Sequence, residues 1–127
     1  MILVGGDFTN LAGQARNYLG RLQPNSFVDG AFTNGADNSV LTLALQPDGR
    51  ILAGGSFTNL AGAPCDRMGR LNADGSRDFS FTNNAFAGGG STGVWAIALQ
   101  SDGNIVVGGV FTNIGGVTRN YIGLLNP

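Results

Sequence analysis

The chain contains few residues that could carry out acid–base or nucleophilic chemistry. None of its 127 residues is His, Glu or Lys: the eight acidic residues are all Asp and the seven basic residues are all Arg. Proton transfer or nucleophilic attack would therefore depend on Asp, Tyr or the single cysteine, Cys65. Asp48, Asp74 and Asp102 each precede a glycine, a pattern typical of tight turns. Turn formation accounts for these three carboxylates without a catalytic role.

The remaining aspartates and Cys65 form no recognisable acid–base pair. Asp29 and Asp78 lie 49 residues apart, at equivalent positions of a repeat, where an aspartate typically hydrogen-bonds the amides of a turn. Cys65 aligns with Arg16 and Arg119 of the other copies, and we expect it to be exposed in a loop. Because hydrolases and lyases need a positioned acid and base, we expect no catalytic residues and no enzymatic activity.

A metal site is not expected either. The segment NADGSRD, residues 72–78, places side-chain oxygens two residues apart around a glycine, as calcium-binding loops do. It lacks the closing glutamate of such loops, and the equivalent segment of the first copy, QPNSFVD, lacks the pattern. We interpret residues 72–78 as a hairpin turn and expect neither a metal nor a cofactor.

The candidate binding residues lie mostly in loops. The dipeptide Thr-Asn recurs in three of them, as Thr9, Asn10, Thr58, Asn59, Thr112 and Asn113. Loops on a rigid scaffold often carry binding residues, although Thr-Asn can also end a strand by bonding its own backbone. Trp95 could stack on a sugar, but its place in an apolar strand favours the core. The glycine-rich segment 85–93, present in one copy, is a further candidate.

A repeated phrase organises the elements that carry these residues. The hexapeptide GGxFTN begins at residues 5, 54 and 108, and aligning the sequence with itself gives offsets of 49 and 54 residues. The five additional residues of the second offset enter as a loop within residues 84–93. Repeats of this length that consist of strand-like segments are typical of propeller blades.

Each copy contains up to four segments with strand character. Segment a covers residues 40–46 and 94–100; segment b covers 2–8, 51–57 and 105–111; segment c covers 18–22, 67–71 and 121–125; segment d covers 30–33 and 79–82. Asp-Gly turns join a to b, and loops of constant length join b to c. We therefore predict one repeat domain, with a partial blade over 1–34, a blade over 40–83 and a partial blade over 94–127.

Segment a is apolar on both faces, because the bulky residues of VLTLAL and VWAIAL alternate with smaller apolar ones. Such a strand must be covered on both sides, and neighbouring blades could cover it. The Gly-Gly pair of segment b would weaken a strand unless a bulge or a closely approaching backbone required it. The predicted fold is all-β without helices: β-propeller-like blades of four antiparallel strands, about two and a half blades per chain.

The repeat resembles a known family. The phrases ILAGGSFT, RLNADGSRDFSFTN and VLTLALQPDGR are similar to those of the delta-60 repeat, and the resemblance covers essentially the whole chain. It departs from the pattern where Gln23-Pro24-Asn25 replaces an Asn-x-Asp-Gly turn and where Leu124 replaces the arginine found at Arg21 and Arg70. The resemblance implies propeller-like blades, no catalytic residues and a place in large secreted or surface proteins of bacteria.

The charge and the ends of the chain suggest its partners. The net charge is −1 with scattered arginines, which argues against nucleic acid, and no apolar run is long enough for a membrane span. Two and a half blades cannot close a ring, so the end faces would expose apolar surface. We expect self-association by stacking or ring completion as a homo-oligomer or fibre, with an interleaved trimeric fibre or a β-solenoid as less favoured alternatives.

These observations rank three functions. The leading hypothesis is a non-enzymatic scaffold for adhesion or fibre assembly in a secreted or cell-surface bacterial protein, associating through its end faces. The alternative is a carbohydrate-binding propeller module in which the Thr-Asn loops and Trp95 contact glycans. A hydrolase-like propeller ranks third because the acid–base residues it needs are missing.

Overall fold

The computed structural model describes residues 1–82, 85–86 and 92–127, and no helix occurs among them. Their strands, in chain order, are β1 (Ile2–Gly5), β2 (Asn10–Leu11), β3 (Gln14–Ala15), β4 (Leu19–Leu22), β5 (Val40–Leu45), β6 (Ile51–Gly55), β7 (Asn59–Leu60), β8 (Ala63–Pro64), β9 (Met68–Leu71), β10 (Ala85–Phe86), β11 (Gly93–Leu99), β12 (Ile105–Val110), β13 (Asn113–Ile114), β14 (Val117–Thr118) and β15 (Ile122–Leu125).

Three antiparallel sheets correspond to the three copies of the repeat. We call β1–β4 the first blade, β5–β6–β9 the middle blade and β11–β12–β15 the third blade. Tight turns at Gly49 and Gly103, with φ of 87° and 89°, join the first two strands of the middle and third blades. The predicted all-β fold and its segments a, b and c are thus confirmed.

Segment d does not form the predicted fourth strand of each blade. Residues 30–33 and 79–82 follow an aspartate that bends the chain into a turn. The Asp29 carboxylate accepts a hydrogen bond from the Ala31 amide at 3.0 Å, and the Phe32 amide donates to the Asp29 carbonyl at 3.2 Å. The chain meets the sheet edge only at single bridges before these turns, Val28 with Leu22 and Arg77 with Leu71. The named strands therefore number three or two in each described blade, because the turn ends this pairing after one bridge.

Small hairpins fill the loops of constant length between segments b and c. β2 pairs with β3, β7 with β8, and β13 with β14, all antiparallel. Leu60 and Ile114, at one register of these loops, are fully buried, whereas Leu11 is half-buried. The prediction that these residues attach the loops to the core is confirmed for the second and third copies.

Two hydrophobic clusters fill the spaces between neighbouring blades. The first interface, between the first and middle blades, buries Phe32 and Phe57. The second interface, between the middle and third blades, buries Phe111. The middle blade contributes to both, because Ile51 belongs to the first cluster and the adjacent Leu52 to the second.

The middle blade is covered on both faces, as its sequence predicts. Leu43 packs against the first cluster and Ala44 against the second, so the bulky and the small faces of β5 meet different neighbours. The first strands of the middle and third blades, β5 and β11, also touch, since the Ile97 amide donates to Thr42 Oγ1 at 3.2 Å. The chain is thus a row of three blades in which only the middle one is sandwiched.

The first glycine of the Gly-Gly pair allows the next blade to approach. A Cβ added to Gly5 would lie 2.8 Å from Val40 Cγ1, and one added to Gly54 would lie 2.5 Å from Val94 Cγ1. Both distances are too short for a carbon–carbon contact. Each glycine therefore receives the valine of the following blade.

The second glycine faces a bulge in its own blade. A Cβ added to Gly55 would collide with the Ser39 carbonyl, and one added to Gly109 would collide with the Gly93 carbonyl. The bulge lies immediately after these carbonyls: the pairing register shifts between Val40 and Thr42 in β5 and at the equivalent place in β11. The expected reasons for the Gly-Gly pair, a bulge and a close approach, both apply.

The bulge also overturns the expected position of Trp95. Trp95 and its counterpart Leu41 are the extra residues at the two register shifts, so they leave the alternation of their strands. Their exposures are 57% and 48%. The prediction that Trp95 belongs to the core is therefore wrong, because counting alternate residues assumes a strand without a bulge.

Candidate functional site

A polar cleft of about 400 Å³ opens at the junction of the first and middle blades. Arg16 and Asn17, which follow β3, line it together with Asn59 of β7. The linker between the blades supplies Thr33 and Asp37. The cleft exists because the linker crosses from one blade to the hairpin of the next, where the Ala61 amide donates to the Gly35 carbonyl at 2.8 Å.

Asp37 connects this linker to the middle blade. One carboxylate oxygen accepts hydrogen bonds from the backbone amides of Thr58 and Asn59, at 2.8 and 2.9 Å. The other accepts from Thr58 Oγ1 at 2.7 Å and from Asn59 Nδ2 at 2.8 Å. Sequence analysis missed this arrangement, because the partners are more than 20 residues apart and Asp37 belongs to no motif.

These contacts hold Asp37 in its ionised form. Desolvation raises the pKa of Asp37, but the hydrogen bonds from Asn59 and Thr58 together outweigh it and lower the pKa well below its usual range. The cleft therefore carries a fixed negative charge next to the Asn59 amide group. The four hydrogen bonds already occupy both oxygens of the carboxylate, so they fasten the linker to the middle blade.

Arg16 supplies positive charge to the same cleft. Its Nη1 donates to the Ala15 carbonyl at 2.7 Å, and its Nη2 lies 3.4 Å from the Asp29 carbonyl. Its Nε is buried and has no hydrogen-bond partner within the described part of the chain. Carbonyl oxygens thus orient the guanidinium, and the cleft combines an arginine, a carboxylate and two amides.

The three Thr-Asn pairs occupy different environments. Thr58 and Asn59 are exposed and bonded to Asp37, and Asn59 lines the cleft. The side-chain oxygen of Asn10 accepts a hydrogen bond from the Gly13 amide at 3.0 Å, which is the local loop bond expected of this dipeptide. Asn113 is half-buried in β13 and pairs with Phe86 and Thr118. Their proposed role in binding stays a prediction.

Thr9 and Thr112 are both exposed, and their backbone carbonyls accept hydrogen bonds from the backbone amides of Arg16 and Arg119. Trp95 does not line the cleft; a Cβ added to Gly93 would lie 3.3 Å from its indole nitrogen. Of the predicted loop 84–93, residues 84 and 87–91 lie outside the described part, so nothing is added to that prediction. The candidate residues therefore do not form one site.

An ion pair repeats in the first two copies. Arg21 Nη2 lies 2.8 Å from Asp29, and Arg70 Nε lies 2.7 Å from Asp78. Hydrogen bonds donated by Ser80 lower the pKa of Asp78, whereas burial raises it. The interaction with Arg70 lowers it further, so that the pKa falls to about 2. The sequence predicted the turn bonds of these aspartates, and the ion pairs are additional. Their role is structural.

Residues 72–78, the segment that resembles a calcium-binding loop in sequence, form a turn. Asp74 Oδ1 accepts from the Ser76 amide at 2.9 Å and from Ser76 Oγ at 2.7 Å, as expected of a turn over residues 72–78. No group of three or more His, Cys, Asp or Glu side chains suited to a metal occurs in residues 1–82, 85–86 and 92–127. Within those same ranges, no helix is long and apolar enough to cross a membrane.

Cys65 is buried, which corrects the expectation of an exposed loop thiol. It is 2% exposed, and its Sγ donates to the Met68 carbonyl at 2.9 Å. Burial raises the pKa of Cys65 to about 11. The alignment with Arg16 and Arg119 misled the prediction, because the shorter cysteine turns inward where Gly69 leaves room: a Cβ at Gly69 would lie 2.5 Å from its sulfur.

The fold and this site define a β-propeller repeat protein with polar loops at its blade junctions. A family comparison agrees: residues 1–32, 46–81 and 100–127 match the model of a domain of unknown function, DUF5122, described as a β-propeller. The chain belongs to this family, which confirms the resemblance to delta-60 repeats. No curated protein and no solved structure matches the chain significantly.

Proposed function

We propose that the chain is a non-enzymatic scaffold module that associates with further copies of itself through its end faces. In this proposal it serves adhesion or fibre assembly in a secreted or cell-surface bacterial protein. The support comes from comparing the exposure of equivalent side chains in different blades, since both faces of the middle blade are covered by neighbours. The location is supported by the family resemblance alone.

The main support comes from the face of the third blade that is directed away from the middle blade, which we call its trailing face. In the middle blade, Leu52 and Met68 are completely buried by the third blade. Their equivalents in the third blade are Val106, which is half-buried, and Ile122, which is 64% exposed. Apolar residues that one copy buries and the next exposes form a surface suited to a further blade.

The glycine of this face has the space that a partner valine would occupy. A Cβ at Gly54 would lie 2.5 Å from Val94, whereas the nearest atom to a Cβ at Gly108 is 3.8 Å away. Leu124 increases the apolar character of the face, because it replaces the ion-paired Arg70 of the middle blade and is exposed. An exposed leucine beside an exposed isoleucine favours association.

The face of the first blade that is directed away from the middle blade, which we call its leading face, complements the trailing face of the third blade. Ile51 is 2% exposed in the middle blade, where it meets the first blade, and its equivalent Ile2 is 60% exposed. A trailing face docking on a leading face is a heterologous contact, which generates a ring if it closes and a fibre if it does not. Both outcomes agree with a scaffold.

Sedimentation of the purified chain over a concentration series tests this proposal. We expect the mass to rise with concentration, and Ile122→Arg to return it to that of a monomer. Phe79→Arg is the matched control, because Phe79 is at least as exposed as Ile122 but lies in the segment following the middle blade. A chain that stays monomeric at all concentrations would contradict the proposal.

Carbohydrate binding is a second candidate because Trp95 is exposed. An exposed indole offers a flat apolar face on which a sugar ring can stack. Binding to a glycan array is the test: we expect Trp95→Ala to lose any sugar-specific signal and Trp95→Phe to retain part of it. A signal unaffected by Trp95→Ala would reject this candidate.

A further inference from the structure

The linker between the first and middle blades contains the only asparagine of the chain that is followed by glycine, Asn34-Gly35. Asparagine is one of the thermolabile residues of proteins, because a backbone amide nitrogen can attack the carbonyl carbon of its side chain. The attacking nitrogen belongs to the next residue, and glycine hinders the approach least because it has no side chain. The most reactive type of asparagine therefore lies in a segment that joins two blades.

The packing of this junction requires both residues of the dipeptide. Asn34 Nδ2 donates to the Gly75 carbonyl at 3.0 Å, which ties the linker to the turn over residues 72–78 of the middle blade. A Cβ added to Gly35 would collide with the Asn17 carbonyl oxygen, so the backbone of the first blade leaves room for a glycine only. The same contacts that close the junction thus keep a labile dipeptide in place.

The backbone nitrogen that would react is available. The Gly35 amide donates no hydrogen bond to any described residue, although the Gly35 carbonyl accepts one from the Ala61 amide at 2.8 Å. Asn34 and Gly35 are both half-buried, so solvent reaches this part of the linker. A backbone amide in a sheet would have to give up its hydrogen bond before attacking a side chain. Among the described contacts of Gly35, no such bond has to break.

We propose that Asn34 is a deamidation site and that its modification opens the first interface. The Gly35 nitrogen loses its proton to hydroxide and attacks Asn34 Cγ. A bond from this nitrogen to Cγ forms, the bond from Cγ to Nδ2 breaks, and ammonia leaves with a proton taken from water. Water then adds to either carbonyl of the succinimide ring, and the ring bond from that carbonyl to nitrogen breaks. The product at position 34 is aspartate or isoaspartate, and water is the only co-reactant.

Both products disturb bonds that cross the junction. Each replaces the amide that donates to the Gly75 carbonyl by a carboxylate, which only accepts hydrogen bonds when ionised. Isoaspartate also adds a methylene group to the main chain before Gly35. The Gly35 carbonyl is bonded to the middle blade, and the next residue, Ala36, donates to the Asn17 carbonyl of the first blade at 3.1 Å. A longer main chain cannot keep both bonds in place.

The turn that Asn34 holds is part of the first interface. Arg21 Nη1 of the first blade donates to the Ala73 carbonyl of this turn at 2.6 Å, and a Cβ added to Gly75 would lie 2.7 Å from the Phe32 ring. Phe32 and Cys65 belong to the same buried cluster, so the reactivity of the thiol reports on the opening of this interface. The end faces take no part, which makes the proposal independent of self-association.

Incubation of the folded chain at pH 8, followed by peptide mass spectrometry, tests the reaction. We expect Asn34 to lose its amide at least about tenfold faster than Asn25, which is exposed and followed by serine. Hydroxylamine, which cleaves succinimides, should cut the chain into residues 1–34 and 35–127. Asn34→Gln is the control and should show neither product, because its longer side chain would have to close a larger ring. Amide loss at Asn34 that is no faster than at Asn25 would overturn the assignment of the site.

The rate of Cys65 alkylation by iodoacetamide tests the structural consequence. We expect Asn34→Asp to react at least about fivefold faster than the unmodified chain. Asn38→Asp is the matched control: it adds the same charge to the same linker, and the side-chain oxygen of Asn38 already accepts from the Ser39 amide at 2.7 Å, as an aspartate would. The deamidated fraction of the aged chain, isolated by ion exchange, should react at least as fast as Asn34→Asp. Equal rates in this fraction and in the unmodified chain would overturn the inference.

Discussion

At the scale of single residues, Arg70 and Asp78 show how the repeat uses its few charges. Their side chains are 7% and 9% exposed, and the guanidinium lies 4.8 Å from the centre of the Phe81 ring. Gln46, also buried, lies 3.5 Å from the same guanidinium. Because removing one member of such a pair leaves a buried charge without its partner, the pair should tolerate substitution poorly.

Replacing Asp78 with alanine should therefore destabilise the chain strongly. We expect a loss of about 3 kcal/mol in the free energy of unfolding, since Arg70 would stay buried without its carboxylate. Urea denaturation followed by fluorescence measures it. Asp48→Ala is the control, because its ion pair with Arg50 is about half exposed and should be worth less than about 1 kcal/mol. Equal losses in the two variants would contradict this assignment.

The same carboxylate predicts a pH dependence. The folded state lowers the pKa of Asp78 from 3.8 to about 2, so it favours the ionised form. Its contribution to stability is fully present only well above pH 3.8 and is lost progressively as the pH falls through 3.8 to below about 2. The difference in unfolding free energy between the wild type and Asp78→Ala should therefore shrink over this interval. A constant difference from pH 5 to pH 2 would show that the pKa is not lowered.

Several residues could not be placed from sequence alone. Trp95 was assigned to the core because its strand alternates, and only the three-dimensional bulge reverses that assignment. Asp37 was overlooked because its four hydrogen bonds go to residues distant in the chain. Turn aspartates such as Asp74 were predicted correctly, since their bonding partners are two residues away.

At the scale of elements, the Gly-Gly pair provides a matched comparison between two blades. Neither Gly54 nor Gly108 has a positive φ, so alanine suits the backbone at both positions. Gly54→Ala would press a methyl group into Val94 and Thr42 and should cost about 1–3 kcal/mol of unfolding free energy. Gly108→Ala meets no atom closer than 3.8 Å and should change it by less than about 1 kcal/mol.

Thermal and urea unfolding of both glycine variants measures this difference. Gly108→Ala should nevertheless weaken the proposed self-association, because a partner valine would need that space. Comparable destabilisation by the two substitutions would mean that the approach of the third blade does not depend on Gly54.

Strands b and c were predictable because repeated glycines and apolar residues mark them in every copy. Segment d was not, because residues 30–33 have strand-like composition while the preceding Asp29 directs them into a turn. The short hairpins β2–β3, β7–β8 and β13–β14 were predicted only as loops of constant length. Two-residue strands are too short to produce a hydrophobic period.

At the scale of the whole molecule, stability should depend on contacts between neighbouring blades, as in other repeat proteins. Cys65 is a natural probe of the first interface, because it is buried in that cluster. At pH 8 its thiolate fraction should be lower by about 100-fold than that of a free thiol, as its pKa is raised to about 11 from 9.0.

We therefore expect iodoacetamide to modify Cys65 at least about 100-fold more slowly in the native chain than in denaturant. Quenched reactions analysed by mass spectrometry give both rates. Leu19→Ala, which removes a buried residue of the same cluster, should accelerate the native reaction by loosening the first blade. Similar rates in native and denatured protein would show that the thiol is accessible.

The valine that enters a glycine position gives the row of blades a polarity. At both junctions the earlier copy supplies the cavity and the later copy supplies the side chain that fills it, in one consistent order along the polypeptide. Gene duplication could therefore lengthen such a molecule by whole units without redesigning an existing junction. Growth by this rule is directional, and a unit inserted in reverse order would place two valines against each other.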